Sequence, residues 1–291
     1  MTQQETYAEK LTRLAKERKS IICVGLDPEI DKIPLHGEIE DVVFTFYRNI
    51  LQAMIDENVK PAIVKPNYAF YFQHGFEGLK ALQRIVGFCH ENDIPIILDA
   101  KVGDINKTAQ AYAKGIFDWL KVDAVTVNAY MGRDVLEPFF PYCREGKGVY
   151  GLLKTSNESS GELQDLELKD GKKVYLAAAD ILAGIYSKKE VTSGSLGGVV
   201  GATYPIQLQE LNDYFVSRNV VVPLLIPGVG KQGGSAADVV QALGGKKNEN
   251  IWMHRINVSS GFSEAYIAQK TTDYAGAAVK ELKRLNKEVG P

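Results

Sequence analysis

The sequence predicts an α/β protein with the (β/α)8 architecture of a TIM barrel. Along its 291 residues, short runs rich in Val and Ile alternate with longer amphipathic stretches. This alternation is typical of parallel strands joined by helices. Eight such runs in a chain of this length favour a closed barrel over the alternative, an open and doubly wound sheet. We expect residues 1–291 to form a single barrel domain with an additional helix at each end.

Each element is expected where its hydrophobic pattern occurs, with short apolar runs as strands and helically spaced apolar residues as helices. In chain order the pattern predicts helix 4–18, strand 20–26, helix 38–56, strand 62–65, helix 76–90, strand 94–99, helix 105–120, strand 124–127, helix 133–140, strand 148–152, helix 174–187, strand 196–200, helix 206–218, strand 222–226, helix 235–242, strand 253–258 and helix 265–286. The polar segment 155–173 is interpreted either as a mobile lid or as a solvated loop without a role.

Composition and charge argue against several classes of function. The net charge of −2 and an isoelectric point of about 6.1 argue against a nucleic-acid-binding protein. The polar N-terminus has no apolar signal core, and no apolar run approaches the length of a membrane span. Cys23, Cys89 and Cys143 are widely spaced and form no CxxC motif, as expected for reduced thiols in a cytoplasmic protein.

Charged side chains follow the first three predicted strands. Asp27 follows the first, Lys65 ends the second, and Asp99 and Lys101 end the third, with Asp104 just beyond. Side chains two apart on a strand share a face, so Asp99 and Lys101 should point the same way. Charges at strand ends are costly unless they are paired or used, and barrel active sites lie at these ends. An ion pair or a helix cap remains the alternative for any one of these residues.

A glycine-rich loop follows the seventh predicted strand. Residues 226–234 read Ile-Pro-Gly-Val-Gly-Lys-Gln-Gly-Gly and include Gly230, Lys231 and Gln232. Glycines let backbone N–H groups converge on a bound oxygen, and barrels often bind phosphate between the loops after strands seven and eight. We expect a phosphate site here, with a simple tight turn as the alternative.

The sequence predicts no metal site. Asp99 and Asp104 could hold a cation, but Lys101 lies between them and would repel it. The histidines have no metal-binding spacing; they are His36, His74, His90 and His254.

These motifs together resemble the orotidine 5′-monophosphate decarboxylase family over nearly the whole chain, and most closely its longer variant. The most specific motif spans residues 99–113, where Asp-Ala-Lys-x-Gly-Asp-Ile is followed by Thr-Ala-x-Ala-Tyr-Ala. Further matching segments lie at 25–28, 65–70, 127–132, 154–157, 200–203 and 227–234.

The resemblance implies decarboxylation of orotidine 5′-monophosphate (OMP) to uridine 5′-monophosphate (UMP) and CO2 without a cofactor, the last step of de novo pyrimidine synthesis. It implies that Lys101 protonates C6 and that Asp99 adjoins the substrate carboxylate, in a charged network with Lys65 and Asp104. This chemistry is physically reasonable, because a fixed ammonium beside C6 stabilises the carbanion that loss of CO2 leaves.

The resemblance also implies a homodimer with composite active sites, to which the partner subunit supplies Asp104, Ile105 and Thr108. Asp27 and Lys65 would bind the ribose hydroxyls. The other implied contacts are Asn67 near the ribose, Ser156 with the pyrimidine ring, Pro227 beside the base, and Gln232 with Gly230 of the same loop at the phosphate.

One departure from the family pattern concerns the phosphate. Ser260 stands where the family has an arginine after strand eight, so a bidentate donor is lost. We expect Lys231 to replace part of this affinity as a point charge, with a solvent-facing loop lysine as the alternative. Arg255 is nearby in sequence, but the pattern does not decide which face of the strand it occupies.

Two other functions remain open on the sequence alone. One is a Mg²⁺-dependent sugar-phosphate synthase or lyase of the same barrel group, against which Lys65 and the segment around Ser156 argue. The other is a non-catalytic nucleotide-binding barrel, which the missing arginine allows but the complete set of Asp99, Lys101 and Asp104 opposes.

Overall fold

Eight parallel strands curl into a nearly closed barrel within residues 5–290, the part of the chain that this computed structural model describes. The strands are β1 (Ile22–Leu26), β2 (Ile63–Pro66), β3 (Ile97–Val102), β4 (Ala124–Val127), β5 (Gly148–Lys154), β6 (Leu196–Val200), β7 (Leu224–Ile226) and β8 (Arg255–Val258). Helical segments connect successive strands, as parallel pairing requires. The predicted (β/α)8 fold is confirmed.

The sheet runs in the order β2-β1-β8-β7-β6-β5-β4-β3, so β2 and β3 are its two ends. Isolated parallel bridges, Val64 with Ile96 and Asn67 with Asp99, join these ends. The barrel is therefore closed by isolated bridges at the β2–β3 seam, whereas the other neighbouring strands pair in ladders. The seam also brings the carboxyl ends of β2 and β3 together.

The helices surround the barrel. They are α1 (Tyr7–Arg18), α2 (Ile39–Asp56), α3 (Tyr68–Phe72), α4 (Gly75–Glu91), α5 (Asn106–Lys114), α6 (Phe140–Arg144), α7 (Gly161–Gln164), α8 (Val174–Ser187), α9 (Pro205–Ser217), α10 (Ala236–Ala242), α11 (Ser260–Ser263), α12 (Ala265–Ala268) and α13 (Tyr274–Val289). On α2, Val43, Phe46, Ile50 and Met54 recur at helical spacing and are buried against the core. Within the described residues, every helix is too short or too polar to cross a membrane.

The N-terminal helix α1 closes the amino-terminal end of the barrel. Tyr7 and Leu11 pack into the barrel interior, and the Tyr7 ring meets Tyr150 edge-on with centroids 6.0 Å apart. A Cβ on Gly148 would lie 2.4 Å from the Tyr7 ring, so this close approach requires glycine. The first residue of the predicted helix 4–18 lies outside the described residues.

Several predicted boundaries differ from the structure for identifiable reasons. The predicted helix 133–140 is two 3₁₀ turns, Arg133–Val135 and Glu137–Phe139, because Pro138 and Pro141 prevent a continuous helix. The predicted helix 105–120 ends in a π-helical turn at Gly115–Trp119. Strand β8 begins later than predicted because Glu249–Met253 forms a 3₁₀ helix. The segment 265–286 divides into α12 and α13.

Candidate active site

A cavity of about 1090 Å3 opens at the carboxyl ends of the strands, the face that carries the active site in barrel enzymes. Most of the side chains singled out from the sequence line it: Asp27, Lys65, Asn67, Asp99, Lys101, Ser156, Pro227, Lys231, Gln232 and Ser260. The prediction that the strand ends deliver these residues to one mouth therefore agrees with the geometry.

Asp99 on β3 joins two lysines. Its Oδ2 accepts a hydrogen bond from Lys65 Nζ at 2.9 Å, and its Oδ1 accepts one from Lys101 Nζ at 2.6 Å. The side chains of Lys65 and Asp99 are almost fully buried, whereas 46% of the Lys101 side chain is exposed. Lys101 is therefore the member of this network that a ligand in the cavity reaches most easily.

Electrostatics keep this network charged. Burial opposes ionisation of Asp99, but the ammonium groups of Lys65 and Lys101 outweigh it and hold the pKa of the carboxyl well below its ordinary value. Burial likewise opposes the charge on Lys65, yet the nearby carboxylates of Asp99 and Asp27 raise the pKa of this lysine. The cavity floor thus carries fixed charges of both signs at neutral pH.

An irregularity in β3 accompanies the turn of Lys101 toward the cavity. The pairing of β3 with β4 shifts register between Leu98 and Val102, and Lys101 has a φ of 45°. Residues other than glycine rarely adopt this left-handed region, and such strain concentrates at functional sites. The side chains of Asp99 and Lys101 meet as expected, but they do so on a distorted strand.

Thr126 on β4 supports the same network, although the sequence analysis did not identify it. Its hydroxyl donates to Asp99 Oδ1 at 2.9 Å and accepts from the backbone N–H of Lys101 at 2.9 Å. Thr126 is buried. The only signal in the sequence was a single hydroxyl residue within the apolar strand Ala-Val-Thr-Val. A buried threonine without any role in the site would give the same pattern.

Two buried acceptor atoms lie at the carboxyl ends of the adjacent strands β1 and β8. Asp27 Oδ1 and Asn257 Oδ1 have no hydrogen-bond partner, and both residues line the cavity. Buried acceptors without partners are unfavourable, so hydroxyl groups of a ligand would improve this part of the site. Asn257 was not identified from the sequence.

Backbone contacts hold Asn67 after β2 and Ser156 after β5. Asn67 caps α3, and its side chain accepts from the N–H of Ala69 at 3.2 Å. A Cβ on Gly201 would lie 2.7 Å from Ser156 Cα, so only glycine permits the β6 end to approach Ser156 this closely.

The glycine-rich loop contributes side chains to the cavity, whereas the backbone N–H of Gly230 is already bonded within the loop. Gly230 has a φ of 92°, and its N–H already donates to the carbonyl of Gly234 at 3.1 Å. Gly230 is not among the cavity-lining residues, unlike its neighbours Lys231 and Gln232. Its predicted contact with a ligand therefore finds no support in this geometry.

Ser260 lies at the start of α11 and lines the cavity, but Arg255 does not compensate for it. The Arg255 side chain is fully buried at the opposite end of β8 and donates to the carbonyls of Leu11, Trp252 and His254. Near Ser260 the cavity is instead bordered by Lys231 and Lys32, both of which form ion pairs with Glu264. Lys32 and Glu264 were not identified from the sequence.

The segment 155–173 contributes residues to the cavity wall. Buried Lys154 donates to both carboxylate oxygens of Asp165 at 2.8 Å and lies 4.3 Å from the centroid of the Tyr204 ring. Leu163 and Gln164 of α7 line the cavity. The segment is therefore held by the Lys154–Asp165 ion pair and contributes α7 to the cavity wall; its movement as a lid stays a prediction.

Three predicted site residues do not line this cavity within the same chain. Asp104, Ile105 and Thr108 follow β3, and the Asp104 carboxylate accepts from the N–H of Ile105 at 2.8 Å. Thr108 lines a different, apolar groove of about 370 Å3. Among the residues described, no group of three or more His, Cys, Asp and Glu side chains is arranged to hold a metal ion.

Comparisons with known proteins agree with this geometry. The profile of the orotidine 5′-phosphate decarboxylase / HUMPS family matches residues 20–265. The chain is 38% identical to an orotidine 5′-phosphate decarboxylase of Roseiflexus sp. over 274 residues, covering 94% of this chain and 93% of that protein.

Solved structures give the same result. A crystal structure from Toxoplasma gondii, assigned to orotidine-monophosphate decarboxylase, has a TM-score of 0.80 and 34% identity, covering 98% of this chain and 97% of that one. The OMP decarboxylase of Leishmania donovani has a TM-score of 0.75 and 31% identity, covering 98% of this chain and 99% of that one. The chain therefore belongs to the orotidine 5′-phosphate decarboxylase family.

Proposed function

We propose that the chain decarboxylates OMP without a cofactor and that Lys101 delivers the proton that replaces the carboxylate at C6. The family and fold support decarboxylation of OMP, and hence a role in UMP biosynthesis. The single observation that carries the residue assignment is the Lys65–Asp99–Lys101 network at the cavity floor, with Lys101 the exposed member.

The charges of this network match the demands of the reaction. Loss of CO2 leaves an electron pair on C6, which the Lys101 ammonium stabilises before it transfers a proton to that carbon. Asp99 beside the substrate carboxylate repels it, and this repulsion falls as the carboxylate leaves as neutral CO2. Lys65 keeps the Asp99 carboxylate ionised, as the lowered pKa of Asp99 requires.

The remaining cavity residues suit the other parts of a nucleotide. The unpartnered acceptor of Asp27 and the ammonium of Lys65 suit ribose hydroxyls, with Asn67 nearby. Ser156 and Pro227, which line the same cavity, would border the base. Gln232, Lys231 and Ser260 would serve the phosphate, and Gly230 would shape the loop between them.

The activity is tested by the change in ultraviolet absorbance when OMP is added in the presence of EDTA. We expect turnover by the wild-type protein and by Lys16→Ala, whose ion pair with Glu249 lies outside the cavity, but none by Lys101→Ala. Absence of wild-type turnover at micromolar enzyme would overturn the proposal. OMP turnover that occurs without EDTA but is abolished by it would contradict the absence of a metal cofactor, and UMP binding without turnover would favour a binding protein.

We further propose a homodimer whose interface includes the apolar groove beside α5. Tyr112 and Trp119 line this groove and are 45% and 57% exposed. Tyr68 also lines the groove, and Phe72, which is close to it in the sequence, is 60% exposed. Large apolar side chains exposed together are typical of interaction surfaces. A second copy seated here could receive Asp104, Ile105 and Thr108 at its cavity, because these residues follow β3 and Thr108 itself lines the groove.

A shared site is tested by mixing two inactive variants. Lys101→Ala and Asp104→Ala homodimers should each be inactive, whereas a heterodimer has one site with both native residues. We therefore expect partial activity to return after subunit exchange, approaching a quarter of the wild-type value for random mixing and independent sites. Demonstrated exchange without recovery would count against a composite site.

We also propose that the protein works in the cytoplasm. Cys23, Cys89 and Cys143 are buried and unpaired, and burial raises the pKa of Cys23 and of Cys143 to about 12. Such thiols are unreactive and compatible with a reducing compartment. The net charge of −2 gives no reason to expect a nucleic-acid partner.

A further inference from the structure

Four lysines line the main cavity in the described part of the chain, and they divide into two pairs. Lys65 and Lys101 contact Asp99 at the floor. Lys32 and Lys231 instead converge on Glu264, whose side chain is only 15% exposed. The second pair therefore forms a separate cationic site within the same cavity.

The elements that carry this second pair are neighbours in the barrel. Lys32 lies in the 3₁₀ turn after β1, Lys231 in the loop after β7, and Glu264 directly after α11, which follows β8. Strands β1, β8 and β7 are adjacent in the sheet. Ser260, on the same β8 connection as Glu264, also lines the cavity. Three consecutive strand ends thus place two ammonium groups around one carboxylate.

We propose that Glu264 occupies the place of the substrate phosphate, and that Lys32 and Lys231 exchange this carboxylate for the phosphate when the nucleotide binds. The inference rests on the proposed function, since it names the groups that bind the phosphate of OMP or UMP. It adds Lys32 as a second cation and assigns Glu264 as an internal competitor of the ligand.

The chemistry of the two anions favours such an exchange. A phosphate dianion offers three oxygens and two negative charges to the ammonium pair, whereas the Glu264 carboxylate offers one charge. Burial opposes ionisation of Glu264, but its bonds with Lys231 and Lys32 outweigh burial and lower its pKa. Glu264 is therefore an anion at neutral pH, and it would repel a phosphate held beside it. Lys32 Nζ also lies 2.5 Å from Oε2 of Glu29, an exposed residue. This second ion pair can hold the Lys32 ammonium in position after Glu264 has moved away.

The proposal makes opposite predictions for the cations and for the anion. Removing both ammonium groups in Lys32→Ala/Lys231→Ala should weaken UMP binding about tenfold to a hundredfold, after allowing for the exposure of Lys231. Glu264→Gln keeps the size of the side chain but removes its charge, so UMP should bind about threefold to tenfold more tightly. Uridine lacks the phosphate, and its affinity should be the same in all variants.

The experiment is calorimetric titration of UMP and uridine into the wild-type protein, these variants and Lys16→Ala as a matched control. An unchanged ratio of UMP to uridine affinity in the double variant would overturn the role of the lysines. Weaker UMP binding in Glu264→Gln would overturn the exchange, since Glu264 would then position the lysines. If one of these two contradicting results is obtained while the wild-type protein turns over OMP, only the inference about the phosphate site fails. If the wild-type protein neither turns over OMP nor binds UMP, the proposed function fails as well.

Discussion

The hydroxyl of Thr126 should control how well Lys101 performs the proton transfer that we propose for it. In Thr126→Val the shape of the side chain is retained, but the bond to Asp99 and the acceptor for the Lys101 N–H are both lost. Lys101 then has less to hold its backbone in the left-handed region, where φ is 45°. The Lys101 ammonium should consequently spend less time in the position proposed for proton transfer.

The size of this effect can be worked from the contacts. A hydrogen bond to a charged group contributes about 1.5–3 kcal/mol, which corresponds to roughly a tenfold to 150-fold change in rate if it is expressed fully in the transition state. The backbone strain at Lys101 is of order 1–3 kcal/mol, a similar magnitude. We therefore expect kcat to fall by roughly one to two orders of magnitude in Thr126→Val.

The assay is steady-state decarboxylation of OMP followed by ultraviolet absorbance, with the affinity for UMP measured separately. UMP affinity should change little, because Thr126 contacts Asp99 and Lys101 and is not among the residues proposed to bind the phosphate. Thr126→Ser retains the hydroxyl and should recover most of the lost kcat, and thermal unfolding should establish that each variant is folded. Wild-type kcat in Thr126→Val, or equal losses in the Ser and Val variants, would refute the reasoning.

Further predictions concern pH, the lid and the proposed interface. Burial, followed by the charge of Arg255, lowers the pKa of His254 to about 3, so between about pH 6.5 and pH 3 the unfolded state binds a proton that the folded state does not. The free energy of unfolding should therefore fall as pH falls, by up to about 1.4 kcal/mol per pH unit. Measured by urea unfolding from pH 7 to pH 5, this free energy should depend less on pH in His254→Gln than in the wild-type protein, and an equal dependence would contradict the assignment. Asp165→Asn removes the partner of buried Lys154, so limited proteolysis within 155–173 should accelerate and KM for OMP should rise; an unaltered cleavage rate would argue against this anchor. Trp119→Glu should place a charge in the apolar groove and yield monomers by light scattering, and a stable dimer would exclude this surface as the interface.

The barrel fold was predictable because the same pattern, a short apolar run followed by a helical stretch, is repeated along the sequence. Eight apolar runs alternating with helical stretches allow few topologies, and the charges at three successive strand ends indicated the carboxyl face in advance. Boundaries were less predictable where local backbone chemistry overrides hydrophobic spacing. Pro138 and Pro141 convert an expected helix into 3₁₀ turns, and no apolar pattern reports the π-helical turn after α5.

The site was predictable where a residue carries charge in a distinctive motif, as Asp99 and Lys101 do. Thr126 and Asn257 are small polar residues within apolar strands, and only the three-dimensional neighbourhood distinguishes a supporting role from simple burial. Lys32 and Glu264 are 232 positions apart in the sequence, so no local spacing could relate them. The side on which Arg255 lies likewise depended on the strand register, which places its guanidinium under α1 and away from the cavity.

The seam between β2 and β3 couples catalysis to the integrity of the barrel. Isolated backbone bridges and the Lys65–Asp99 ion pair cross this seam, so the charges proposed for the reaction also hold together the part of the wall that lacks a continuous ladder. Amide hydrogen exchange should therefore be fastest, among the barrel strands, along β2 and β3, and should slow when a nucleotide spans both strand ends. Selection for the activity would then also select for the closure of the barrel at this seam.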